Sequence, residues 1–156
     1  FINNSVVAQT NQTRLNRIQA IYSSLNLDDS YQVTSTNVFG DKRPYSYDKS
    51  RTSSSEIDYL HGDTVSNTAT ALDTKIKAAG FSFIGEPYPG SKETQYHYKS
   101  DNGEYIRLTV ESKPYADALQ NAYAMKQQPT DVLDNMDTNA GPSKVIVKVN
   151  LDDNNE

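Results

Sequence analysis

The chain has no cysteine, no tryptophan, only two histidines and no long run of apolar residues. The absence of cysteine excludes thiol catalysis, thiolate zinc sites and disulfide bonds. It does not identify a compartment, because oxidising and reducing compartments both hold cysteine-free domains. A membrane-spanning helix needs about 20 mainly apolar residues, so the sequence predicts none within this chain.

Basic residues are also few, with 15 Lys and Arg against 20 Asp and Glu and a net charge of −5. They form no cluster, so nothing provides the electrostatic footprint of a nucleic-acid or anionic-membrane surface. We therefore expect no nucleic-acid partner. Acidic residues end the chain, where residues 152–156 predict a solvated tail.

The 156 residues include eleven tyrosines and four phenylalanines, although the mean hydropathy is −0.75. A chain of this length commonly forms one domain and buries roughly 70% of the surface of the unfolded chain. It needs no metal or disulfide to fold. We therefore expect one globular domain with a polar surface and a tyrosine-rich core.

The N-terminal segment predicts a helix, because apolar residues recur at steps of three and four between residues 10 and 25. These residues are Leu15, Ile18, Ile21, Tyr22 and Leu25. We assign residues 1–27 to this helical segment and residues 28–151 to a single α+β domain. Two interpretations stay open for the segment: a frayed terminus, and a juxtamembrane helix whose membrane segment precedes Phe1 and is absent from this chain.

The order of Phe1, a helix and a sheet is reminiscent of mature pilins. Ser5 stands where pilins usually carry Glu, and Asn3 and Asn4 interrupt the apolar start that pilins have. We therefore identify no family from the sequence.

The middle of the chain predicts two strands and a helix. Residues 31–39 favour a strand, residues 40–55 a long surface loop or weak edge strand, and residues 57–59 a short strand. Asp63 can cap the following helix and Gly80 can end it. The buried stripe of this helix is expected to be Val65, Ala69, Leu72, Ile76 and Ala79.

A β-hairpin follows a strand over residues 81–86, and its register can be predicted. A three-residue loop over residues 101–103 pairs Tyr98 with Ile106, which places the apolar residues of both strands on one face. A two-residue loop would mix apolar and polar residues on each face. We therefore predict the three-residue loop, with Gly103 in the left-handed conformation.

The last elements are a third helix capped by Ser112 and a strand over residues 144–151. The stripe expected to be buried in the helix is Tyr115, Ala118, Leu119, Ala122 and Tyr123. The element order predicts an α+β fold: a mostly antiparallel sheet of five to six strands with two helices on one face, plus the N-terminal helix. This order is compatible with a ferredoxin-like plait.

The polar face of the hairpin carries the first candidate binding site. His97 is expected opposite Arg107, with Tyr105 and Lys99 nearby. Mixed hydrogen-bond donors on an open sheet face can hold a carboxylate or a protein partner. A pocket that joins His97 to Glu111 would instead favour a hydrolase.

The second candidate site consists of tyrosines in predicted loops, namely Tyr45, Tyr47 and Tyr88. Exposed tyrosines are frequent contact residues in recognition surfaces. They would suit a small-ligand or carbohydrate-binding module.

A calcium site is a weaker alternative. Asp131, Asp134, Asp137 and Asn139 offer oxygen ligands. The segment lacks the bidentate Glu that closes an EF-hand loop, so we predict no metal. No glycine-rich phosphate loop or nucleophile elbow is present, and we predict no cofactor and no catalytic residue.

Our interpretation of the sequence is a non-enzymatic extracytoplasmic or surface domain of a membrane-tethered bacterial protein. Its polar composition is typical of such domains. The expected partner is another protein or a cell-surface ligand, and the membrane is reached only through a segment that this chain does not contain.

Overall fold

The structure is a computed structural model that describes residues 2–40, 52–86, 94–128 and 133–151, without the side chains of residues 2–10, 39–40 and 52–53. In chain order its elements are α1 (Ile2–Ser24), β1 (Tyr31–Gly40), β2 (Thr52–His61), α2 (Val65–Ala78), β3 (Phe81–Gly85), β4 (Thr94–Ser100), β5 (Tyr105–Ser112), α3 (Lys113–Ala124) and β6 (Ser143–Asn150). The predicted α+β class is confirmed.

The six strands form one sheet in the order β1-β2-β6-β5-β4-β3, and every neighbouring pair is antiparallel. The last strand, β6, lies between β2 and β5 and joins the β1–β2 hairpin to the β3–β4–β5 meander. This order differs from that of a ferredoxin-like plait. In such a plait the first strand of the fold lies between two later strands, whereas here the last strand of the chain, β6, does so.

The hydrophobic core lies on one face of the sheet, beneath α1 and α2. Val145, Val147 and Val149 of β6 are fully buried there, as their alternation predicts. The β4–β5 register is also confirmed, since Tyr98 pairs with Ile106. Gly103 has φ +79°, the left-handed conformation that the three-residue loop requires.

The helix α2 is buried through Val65, Ala69, Leu72 and Ile76, as predicted. Its N-cap is Thr64 rather than Asp63, because the Thr64 hydroxyl accepts from the Asn67 amide at 3.3 Å. Asp63 supports this cap from one residue earlier, and its Oδ1 accepts from the Thr64 amide at 2.7 Å.

The predicted loop or edge strand over residues 40–55 is wrong in its last part. Residues 52–55 belong to β2, an internal strand between β1 and β6. Ser54 and Ser55 are buried, and the Ser55 hydroxyl donates to the Asn37 carbonyl at 2.9 Å. Pairing of the hydroxyl to a backbone carbonyl removes the cost of burying it, so a serine run is tolerated in the sheet.

The predicted buried stripe of α3 is wrong for most of its residues. Ser112 caps the helix as expected, but only Ala122 is buried, and Tyr123 is 65% exposed. Neither Ala122 nor its neighbours join the core cluster. The physical reason is that α1 and α2 already cover the core face, so an amphipathic pattern in α3 has no further apolar surface to meet there.

The helix α1 runs from Ile2 to Ser24. Ile18, Ile21 and Leu25 are each 1% exposed and pack in the core, while Tyr22 packs against it partly buried. The C-terminal half of α1 is therefore part of the folded domain. In the part of the chain that the structure describes, no helix is long and apolar enough to cross a membrane.

Candidate functional site

The polar face of the β4–β5 hairpin carries the first predicted site. His97 and Arg107 are direct cross-strand partners, and Lys99 pairs with Tyr105 two residues further along the hairpin. The Lys99 ammonium lies 5.4 Å from the centre of the Tyr105 ring. The structure thus brings these four residues together on the face opposite the core, and their binding role stays a prediction.

The surroundings of His97 favour its neutral form. Burial lowers its pKa, and the charge of Arg107 lowers it further. The Nε2 atom of His97 is buried, and no described residue gives it a hydrogen bond. On its other side, Arg107 of β5 pairs with Lys148 of β6, and Lys148 in turn pairs with Glu56 of β2. Arg107 and Lys148 are therefore like charges directly opposite one another, a pairing that is unfavourable by itself.

The hydrolase interpretation required His97 and Glu111 to act together. Glu111 lies four residues beyond Arg107 on β5, which is about 13 Å along the strand. Its Oε1 lies 3.6 Å from the Lys144 ammonium. A general base and its carboxylate partner need hydrogen-bond distance, and the register separates these two residues.

Replacing Arg107 with alanine should change the free energy of unfolding by less than about 0.5 kcal/mol, because no ion pair on the described residues depends on it. It should also raise the pKa of His97, since one of the two causes that lower it is removed, while burial still holds it below its ordinary value. Urea unfolding and histidine NMR titration measure both effects. A loss above about 2 kcal/mol would show that Arg107 supports the fold.

A second site was not predicted: a cleft of about 580 Å³ at the C-terminal end of α1. Its walls come from α1, from the loop before β1, and from the start of the β1–β2 hairpin. We call it the tyrosine cleft, after the side chains that shape it. The lining residues used below are Tyr22, Asp28, Asp29, Tyr31, Val33 and Tyr59.

The hairpin register places the aromatic rings of the tyrosine cleft. Tyr31 pairs with His61 across β1–β2, and their rings stack with centroids 4.0 Å apart. The Tyr59 ring stands edge-on to Tyr31 at 6.3 Å. The His61 Nδ1 atom lies 3.1 Å from the Ser30 carbonyl, so Nδ1 must be the donor in this contact.

The three tyrosines of the cleft differ in how their hydroxyls are used. The Tyr22 hydroxyl lies 2.8 Å from the Ser55 carbonyl and 2.9 Å from the Val147 carbonyl. Tyr31 and Tyr59 are each only 7% exposed, yet neither hydroxyl bonds to a described residue. The buried side-chain atoms that lack a hydrogen bond among the described residues do not include either hydroxyl oxygen. Both oxygens are therefore accessible to solvent.

Two carboxylates, Asp28 and Asp29, also line the tyrosine cleft. Asp28 Oδ1 accepts hydrogen bonds from the Ser30 hydroxyl and, at 2.9 Å, from the Ser30 amide. These bonds lower the pKa of Asp28, so the group is ionised at neutral pH. Burial raises the pKa of Tyr31, and the charges of Asp28 and Asp63 raise it further. Asp29 adds a second exposed carboxylate.

No local pattern in the sequence indicates the tyrosine cleft. Asp28 and Asp29 resemble an ordinary polar turn, and Tyr31 and Tyr59 resemble two strand residues 28 positions apart. Their proximity depends on β1 pairing with β2 and on where α1 ends against that hairpin. Tyrosines on two adjacent strands beside an acidic turn are the pattern that could have indicated it.

The other predicted site residues fall into two groups. The first group lies outside the described residues and consists of the loop tyrosines, Tyr45, Tyr47 and Tyr88, and of Asp131 from the calcium alternative. Asn139 is engaged elsewhere, because its Oδ1 accepts from the Ser66 amide at 2.8 Å and its carbonyl from the Val65 amide at 3.2 Å. It thereby satisfies free amides in the first turn of α2.

Two observations bear on the calcium alternative within the described ranges. Asp137 Oδ1 accepts from the Asn139 amide at 2.9 Å, so this segment is organised as a turn that holds Asn139 against α2. No three His, Asp or Glu side chains of the described residues are arranged to hold a metal ion. The pattern Asp137-x-Asn139-x-Gly141 thus has a structural explanation of its own.

Comparisons with known proteins add no family. No protein-family description, curated protein or solved structure matches this chain.

Proposed function

We propose that this chain is a non-enzymatic, extracytoplasmic domain of a membrane-tethered bacterial protein, with a role in interaction or structure, and that α1 leads to the tether. The observation that carries this proposal is how α1 is attached. The helix is fastened to the sheet by its C-terminal half, through the side chains of Ile18, Ile21 and Leu25.

Burial along α1 changes at Ile18. None of the described side chains between residues 11 and 17 is buried, whereas Ile18, Ile21 and Leu25 are almost completely so. At 1.5 Å per residue, about 24 Å of helix precedes Ile18. A helix whose C-terminal half packs in the core of its domain suits a stalk between that domain and a membrane.

Polar contacts strengthen the attachment. The Tyr22 hydroxyl bonds to carbonyls of β2 and β6, two internal strands. Arg17 makes a forked contact with Glu104, with Nε to Oε2 at 2.5 Å and Nη2 to Oε1 at 2.6 Å. Such bidentate pairs fix orientation as well as distance. They would keep the domain at a constant angle to α1.

Cell fractionation tests this proposal in the organism that makes the protein. A tagged native copy should sediment with membranes, and protease added to intact cells or to spheroplasts should digest the domain. A cytosolic protein of known location is the control for cell integrity. Recovery of the native protein in the soluble cytosolic fraction, protected from protease until lysis, would refute the tether and the extracytoplasmic location together.

A second candidate function is small-ligand binding, which the tyrosine cleft favours. Its volume lies in the range of about 300–1,000 Å³ that is usual for ligand sites. The loop tyrosines Tyr45, Tyr47 and Tyr88, which first suggested such a function, are a separate proposal, because they lie outside the described residues. The two functions are compatible, since an extracytoplasmic domain can also hold a ligand.

A further inference from the structure

The tyrosine cleft is rich in hydrogen-bond acceptors. Asp28 and Asp29 each present carboxylate oxygens, which only accept when ionised. The hydroxyls of Tyr31 and Tyr59 have no hydrogen-bond partner among the described residues, although each tyrosine is only 7% exposed. An open polar atom on an otherwise buried side chain is a ready contact for a ligand.

The rings of these tyrosines do not favour a sugar as the ligand. One face of Tyr31 is covered by the His61 ring at 4.0 Å, and Tyr59 meets Tyr31 edge-on. With only 7% of either side chain exposed, no full ring face is open for a sugar to stack on. The two tyrosines offer their hydroxyls instead. An anion is disfavoured by the two carboxylates.

The geometry points to the tyrosine cleft as a binding site for an organic cation, a primary ammonium or guanidinium group that donates to Asp28, Asp29 and the hydroxyls of Tyr31 and Tyr59. Either group carries several donors and no acceptor, which complements the cleft. The apolar wall at Val33, 56% exposed, can contact the aliphatic stem that carries the charged group. This inference rests on small-ligand binding and is independent of the tether.

A lysine of the chain contacts a residue that lines the cleft. The Lys75 ammonium donates to the carbonyl of Asn26 at 3.1 Å, and Asn26 is a lining residue. The charge of Lys75 is also one of the causes that lower the pKa of Asp28. An incoming cation meets this charge, so removing it should strengthen binding while removing a carboxylate weakens it.

NMR titration of the 156-residue chain at low ionic strength tests the site. The probes are N-acetyl-arginine amide and N-acetyl-lysine amide, and N-acetyl-citrulline amide is the neutral isostere of the first. At least one cation should shift the backbone amides of residues 27–33 and bind more tightly than citrulline amide. The tighter cation identifies guanidinium or ammonium as the preferred group.

Variants give effects of opposite sign. Asp28→Asn and Asp29→Asn should each weaken cation binding about fivefold, because each removes one nearby charge. Tyr31→Phe should weaken it about threefold through one lost hydrogen bond. Lys75→Gln should tighten it about twofold or more. Glu86→Gln, which makes the same charge change after β3 at the opposite edge of the sheet, should leave it unchanged.

Three outcomes would overturn the cation site. They are the absence of shifts at residues 27–33 with both cations, equal binding of citrulline amide, and an unchanged affinity in the folded Asp28→Asn and Asp29→Asn variants. Asp28→Asn keeps an oxygen that can accept from Ser30, so the turn is preserved, and the rest of the same spectrum checks the fold of both variants. Membrane association in cells has no bearing on any of these results.

Discussion

Replacing Ile21 with alanine should lower the free energy of unfolding by about 2–4 kcal/mol. Ile21 is 1% exposed and lies in the core cluster with Ile18 and Leu25. Truncation removes buried apolar surface and leaves a cavity that the surrounding strands cannot fill completely. Urea unfolding followed by circular dichroism measures the change.

The control for this variant is Gln19→Ala in the same helix. Gln19 is exposed, and the substitution improves helix propensity slightly, so its effect should stay within about 0.5 kcal/mol. The contrast separates packing of α1 on the sheet from stability of the helix itself. A cost for Ile21→Ala as small as that of Gln19→Ala would mean that α1 does not pack on the sheet in solution.

The second large effect concerns the ion pair between Arg17 and Glu104. Arg17→Met should cost about 2 kcal/mol at pH 7, because the Glu104 side chain is only 9% exposed and would keep its charge without the opposite charge of Arg17. The cost is below that of a fully buried pair, since the Arg17 side chain is 46% exposed and water screens it. The methionine keeps most of the arginine stem, so the change isolates the charge.

Acid should reduce the difference between wild type and Arg17→Met. The hydrogen bond and charge of Arg17 lower the pKa of Glu104, although burial opposes them. A carboxyl whose pKa is lowered in the folded state stabilises the fold above its unfolded pKa of about 4.3. That contribution is lost as the pH falls through the lower folded value. Urea unfolding at pH 7, 5, 4 and 3 follows it.

The double variant Arg17→Met/Glu104→Gln completes a thermodynamic cycle. The interaction energy between the two residues should lie between about 1 and 2 kcal/mol at pH 7 and decrease as acid protonates Glu104. An interaction energy near zero at pH 7, or one that does not change with acid, would contradict the role given to this pair. Glu104→Gln alone also tests the hydrogen bond from Ser100, which lies 3.3 Å from the carboxylate.

Elements whose apolar pattern allows only one face to be buried were predictable from the sequence. A one-residue slip of the β4–β5 hairpin would exchange its two faces, so burial alone selects the pairing of Tyr98 with Ile106. The alternation of valines in β6 and the stripe of α2 are equally restrictive. In these elements, local pattern and tertiary packing require the same arrangement.

Elements that depend on distant partners were not predictable in the same way. Ser54 and Ser55 have low strand propensity, and they are buried because β1 and β6 pair on both sides of β2. The stripe of α3 resembles that of α2, yet the core face is already covered. The tyrosine cleft brings together residues of α1, a turn and two strands, so no single segment of sequence contains it.

The His97–Arg107 grouping lies between these cases. Its geometry follows directly from the hairpin register, so the sequence could place the two residues opposite one another. The burial of His97 Nε2 and the lowered pKa of His97 depend on the surrounding structure. For this reason the residues of the polar face were predictable, and their protonation was not.

The central claim is that the C-terminal half of α1 belongs to the core and carries the domain as one body with the helix. Native-state hydrogen exchange tests it most directly. Amides of residues 21–25 should exchange with a free energy close to that of Val145 and Val147 in β6, because both segments open only when the core opens. Exchange in residues 21–25 at the rate of an isolated helix, with β6 still protected, would contradict the claim.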